Sequence, residues 1–85
     1  MEWISVKKDL PKKNGRYLVR EIIGKDTVWH DVLSFAKDGR KVDKYDFHRA
    51  WKNVWYKYDS EWGHITIDSV THWAELPGEP EEDSN

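Results

Sequence analysis

The sequence predicts a mainly β (or α+β) fold: one small antiparallel sheet of about five or six strands with at most one short helix. Three observations carry this expectation. Runs of β-branched and aromatic residues alternate with polar ones at the two-residue period of a strand. Gly15, Gly24, Gly39, Gly63 and Gly78 stand apart, each beside polar residues, as punctuation between such runs. The 85 residues suffice for one domain, and six Trp, four Tyr and two Phe can give so short a chain a dense core.

Taken in order, residues 3–6 form the first run, closed by KKDLPKKNG. Residues 16–23 place Tyr17, Val19 and Ile23 on one face and Leu18 and Ile22 on the other, the two-sided apolarity of a central strand. Gly24-Lys25-Asp26 supports a tight reversal. Residues 27–36 follow, with Trp29, Leu33 and Phe35 opposite Val28, His30 and Val32. Asp38-Gly39 reads as a type I′ hairpin turn, because both residues tolerate positive φ, with a short return strand over 40–42. In residues 43–52, Phe47, Ala50, Trp51 and then Val54 fall at helical spacing, and Asp46 suits a cap. That run is too short for a stable helix by itself, so a long connection with one helical turn is expected. Alternation resumes over 54–59, breaks at 60–63, and ends with strands over 65–67 and 70–76. Strands that neighbour in sequence favour a meander. The globular domain is expected to span 1–78, and 79–85 to be a disordered acidic tail.

Charge and composition exclude several classes. Formal net charge is −2, with 14 basic and 16 acidic residues. Four of the acids, Glu79, Glu81, Glu82 and Asp83, sit in the tail, which leaves 12 acids against 14 bases in the body. Such a balance disfavours a duplex-DNA surface. The absence of cysteine removes disulfides and thiolate metal sites and fits a reducing cytoplasm. MEWISVKKDL lacks an apolar signal-peptide core, and no run is long enough to span a bilayer. The four histidines, His30, His48, His64 and His72, are spaced too widely for a local metal motif, and no metal or other cofactor is expected. No serine sits in a nucleophile elbow and no glycine-rich loop opens a helix, so no known enzyme motif is present.

Two stretches echo each other, WISVKKDLP near the start and VTHWAELP near the end. Together with GRYLV at 15–19 they resemble the family called domain of unknown function 551, carried by Trp3, Leu10, Pro11, Thr71, His72, Trp73, Leu76 and Pro77. Members of that family are small and mostly phage- or prophage-borne. The resemblance implies a phage-type origin, action in the cytoplasm of a bacterial host, and a role in manipulating that host. It implies no catalytic residue set. Read from the residues themselves, the favoured reading of the signature is structural: Trp73 packs beneath the first strand, a hydrogen bond holds His72, and Pro77 ends the ladder for want of an N–H. The alternative has His72 line a pocket and present its imidazole to a ligand.

The functional candidates lie upstream, in DKYDFHRAWKNVWYKY. Lys44, Tyr45, His48, Arg49, Trp51, Lys52 and Trp55 interleave cations with aromatic rings, as a nucleotide pocket or single-strand groove does. The same pattern arises when aromatics fill a core and their lysine neighbours face water, and half of these rings are needed for the core. The first expectation is a non-enzymatic binding module that sequesters a nucleotide-like ligand: Trp51 or Trp55 stacks on it while Arg49 and Lys52 neutralise its charge. If that ligand is a host immune signal, the role is counter-defence. The alternative is an inhibitor or adaptor acting on a host protein through exposed Trp, Tyr and Arg. Single-stranded nucleic-acid binding is a third option, and a pocket completed by a second copy of the chain stays open.

Overall fold

A computed structural model describes residues 2–42 and 46–77, with the side chains of Asp46 and Phe47 outside the description. The predicted acidic tail and the candidates Lys44 and Tyr45 therefore lie outside the described residues. Among these, six strands form one antiparallel sheet: β1 (Ile4–Ser5), β2 (Gly15–Ile23), β3 (Thr27–Ala36), β4 (Val54–Asp59), β5 (Gly63–Ile67) and β6 (Val70–Glu75). Two 3-10 turns, Gly39–Lys41 and Asp46–Ala50, lie between β3 and β4. No helix of the described residues is long and apolar enough to cross a membrane.

The strand order is β1-β6-β2-β3-β4-β5. Strands β2 to β5 follow the expected meander, but β6 returns to lie between β1 and β2. Ile67 of β5 and Val70 of β6 are joined through only Asp68 and Ser69, a reach of about 10 Å. A flat sheet would separate those strands by four spacings, about 19 Å. The sheet is therefore rolled; Ile22 N donates to Ser69 O (3.2 Å), extending the β2–β6 pairing into this short connection.

Rolling encloses the core on one face. Tyr17, Val19, Leu33, Phe35, Trp55, Val70 and Trp73 are buried together, with Ile4, Val6, Leu10 and Ile67 packed against them. The expected faces hold for Tyr17, Val19, Leu33 and Phe35. Ile23 and Trp29, on the same face further along the β2–β3 hairpin, are exposed because the hairpin outruns its neighbours. β3 pairs with β4 only from Ser34 to Ala36, and β6 reaches β2 only as far as Glu21.

The signature residues tie the chain ends to this core. Ile4 pairs with Trp73, and Ser5 with His72. The Trp73 indole Nε1 donates to Asp9 O (3.0 Å), and Tyr17 Oη to Lys13 O (2.9 Å). Those two bonds hold the 6–14 loop over the core, with Pro11 buried. Burial, followed by the negative charge of Glu75, pushes the Tyr17 phenol pKa up.

One predicted element is corrected. Asp38-Gly39 is not a type I′ hairpin, and no return strand occupies 40–42. Instead Asp38 has φ −136° and caps the 3-10 turn Gly39–Lys41. The cause is a partner distant in sequence. Asn14 Oδ1 accepts from Lys37 N (2.7 Å) and Asp38 N (2.9 Å), while its Nδ2 donates to Asp38 O (2.9 Å). One side-chain amide thus takes the backbone groups that a hairpin would have paired across its own strands.

Candidate functional site

Beyond the Asn14 clamp, the two 3-10 turns meet almost backbone to backbone. Gly39 N donates to Trp51 O (2.8 Å), and a Cβ at Gly39 would overlap the carbonyl oxygen of His48. Only glycine allows this approach. Trp51 N returns to His48 O (3.1 Å), closing the second turn. Asn53, at φ 58°, then swings the chain into β4, in the left-handed region that asparagine tolerates better than most residues.

The meeting of the turns leaves an open cleft of about 700 Å³ lined by Lys37, Asp38, Arg40, Arg49, Lys52 and Asn53. Four cations therefore face one carboxylate among the described residues. That carboxylate is engaged: Asp38 Oδ2 accepts from Arg40 Nη2 (2.9 Å), and Oδ1 from Arg40 Nε (3.2 Å) and Arg40 N (3.0 Å). These bonds, side chain first and backbone second, lower the Asp38 pKa to about 2 and raise that of Arg40. The stabilising effect of the pair is present above the ordinary aspartate range and fades as pH falls towards 2. Both residues are solvent-accessible, so water and salt keep the pair weak. Its consequence is orientation, because Asp38 holds the Arg40 guanidinium at the cleft.

The sequence candidates separate in space. Arg49 and Lys52 line the cleft. Trp55 is in the core, 4.7 Å from the ring of Phe35 and 6.0 Å from that of Tyr17. His48 is buried, its ring 4.5 Å from Trp51 and 5.0 Å from His64. Trp51 also lies 5.3 Å from Tyr56, and Tyr56 and Tyr58 each 5.6 Å from His64. This second aromatic cluster packs the turns against β4 and β5. Trp51, Trp55 and Arg49 thus form neither a shared pocket nor a flat patch.

Lys37 and Arg40 are cleft residues that the sequence did not single out, because a hairpin at Asp38-Gly39 puts them on strands. Their signal was Asn14, whose distant bonding the sequence does not display. Among the described residues, no three His, Asp or Glu side chains cluster to hold a metal ion.

Comparison with curated proteins and with solved structures returns no match. A family model described as "Protein of unknown function (DUF551)" matches residues 2–81. That span includes both signature stretches, the strands that join them and the whole of the basic cleft, and so the chain belongs to this family.

Proposed function

We propose that this protein is a non-enzymatic, phage-type binding module that captures a phosphate-bearing, nucleotide-like small ligand in the basic cleft. The observation that carries the proposal is the convergence of Lys37, Arg40, Arg49 and Lys52 on one concavity of ligand size. Phosphate oxygens accept from such cations, and Asp38, by holding Arg40 Nε and Nη2, orients the remaining Nη1 and Nη2 hydrogens of that guanidinium. Less side-chain freedom is then lost on binding than four independent surface cations would lose. Capture works by charge neutralisation rather than by stacking, since Trp51 and Trp55 are committed to packing. Sequestration in the cytoplasm of a bacterial host would serve counter-defence if the ligand is a host signal. Thermal-shift measurements with a panel of mono-, di- and cyclic nucleotides test the proposal. Stabilisation by at least one phosphate-bearing compound, and none by the matching nucleosides, is expected. A folded protein indifferent to the whole panel would overturn it.

A second reading, docking on a host protein, draws on the distal β2–β3 hairpin. There Trp29, 53% exposed, and Ile23 lie exposed on one face, and Ile22 and Val28 on the other, apolar residues that a partner clasping the hairpin would cover. Single-strand binding gains less support, because no aromatic ring lines the cleft among the described residues.

A further inference from the structure

The β2–β6 ladder is irregular at one point. Arg20 pairs with His72 but Glu21 pairs with Val70, so Thr71 has no partner on β2. Such a bulge breaks the alternation of side chains and brings two successive ones to the same neighbour. Thr71 Oγ1 accepts from Arg20 Nη1 (2.8 Å) and lies 3.0 Å from His72 Nδ1. It also lies 3.1 Å from the carbonyl oxygen of Arg20. A carbonyl oxygen only accepts, so the single threonine hydrogen is donated there, and the hydroxyl can do nothing but accept from His72. The His72 proton is thereby fixed on Nδ1, which leaves Nε2 an acceptor.

A cavity of about 320 Å³ opens on these groups, with Ser5 and Lys7 beside Arg20, Thr71 and His72, and with Ile22 and Val70 as an apolar wall. Ser5 stands opposite His72 across β1–β6, and its Oγ accepts from Lys7 N (3.2 Å). No carboxylate lines this cavity among the described residues. The neighbouring acid, Glu21, is buried and accepts from Ser69 Oγ (2.7 Å). Arg20 is half-buried, and its side-chain partner is a hydroxyl rather than an anion.

We propose that this bulge is a second binding site, for a small molecule with an oxyanion head, carboxylate or phosphate monoester, on an apolar body. Arg20 presents its remaining guanidinium donors as the planar fork that such a head accepts. Lys7 adds charge and Ser5 a hydroxyl, while Ile22 and Val70 receive the body; the His72 Nε2, an acceptor, meets a polar hydrogen of the ligand and not the oxyanion. The cavity shares no lining residue with the basic cleft, so each site stands or falls separately.

Benzoate, phenyl phosphate and inorganic phosphate are the probes, titrated into the Arg49→Ala/Lys52→Ala protein so that the cleft contributes least. Nitrogen-15 spectra of the Arg20 Nε–H and the His72 ring report on the site. The unliganded protein should show His72 in its Nδ1–H form, and benzoate or phenyl phosphate should shift both signals saturably. Arg20→Gln should weaken that binding by at least roughly tenfold, and Arg20→Lys by less, since it keeps the charge but loses the fork. Preference for benzoate identifies a carboxylate ligand, and preference for phenyl phosphate a phosphomonoester. The proposal is overturned if no probe gives a saturable shift, or if folded Arg20→Gln binds as well as its parent. Should Arg20→Gln not fold, the signals of the parent protein still decide the matter.

Discussion

Replacing Gly39 by alanine strikes the contact that shapes the basic cleft. The added Cβ would overlap His48 O and stand 2.8 Å from Trp51 O and 2.9 Å from His48 C, all backbone atoms without rotamers to yield. The two turns must part by on the order of 1 Å. That stretches the 2.8 Å bond from Gly39 N to Trp51 O past the useful limit of about 3.5 Å. Losing the bond costs about 1 kcal/mol, and overpacking a closed contact adds about 1–3 kcal/mol. The expected destabilisation of about 2–4 kcal/mol corresponds to a Tm at least about 8 °C lower in a domain of this size. Urea unfolding followed by tryptophan fluorescence measures the loss, and a lower midpoint with an unchanged slope is expected. Because Arg40 and Arg49 belong to the two separated turns, phosphate binding should weaken as well. A Gly39→Ala protein with the parental midpoint would refute the close approach of the turns.

Other perturbations probe separate links. Asn14→Ala removes three bonds to residues 37 and 38 and should cost about 2 kcal/mol in urea unfolding, since one of the three is exposed to water. Trp73→Phe keeps an aromatic ring in the core but loses the bond to Asp9 O. It should cost about 2–3 kcal/mol and speed amide exchange across the 6–14 loop. The raised pKa of Tyr17 means the fold favours the neutral phenol, so its contribution is present below pH ~10 and lost as pH rises beyond the folded value. Tyr17→Phe should therefore lose less stability between neutral and strongly alkaline pH than the parent does, a comparison made by urea unfolding at each pH.

Period-two alternation was enough to locate β2, β3 and β4 and to mark Tyr17, Val19, Leu33 and Phe35 as core, because one face of each strand is apolar. The reversal at Gly24 was legible for a local reason: its φ of +69° is a conformation glycine adopts without strain. What escaped the sequence depends on partners far along the chain. Asn14 redirects residues 37 and 38 from 23 and 24 positions away, overriding a turn signal that was sound in isolation. The place of β6 between β1 and β2 follows from rolling of the sheet, which no local pattern encodes. The interleaved aromatic and basic residues over 44–58 could not sort Trp55, in the core, from Lys52, at the cleft. The bulge at Thr71 was hidden because Val70-Thr71-His72-Trp73 reads as an unbroken strand until its register with β2 is known.

The central claim is that four converging cations capture a phosphate-bearing ligand. Isothermal titration of the parent and the Arg49→Ala/Lys52→Ala protein with the nucleotide that stabilises best, over a series of salt concentrations, tests it most directly. Saturable binding that weakens steadily with salt is expected. The double variant should lose roughly tenfold in affinity, about 0.7 kcal/mol per exposed contact. Absence of binding by the folded parent, or binding equally tight in the double variant and insensitive to salt, would contradict it.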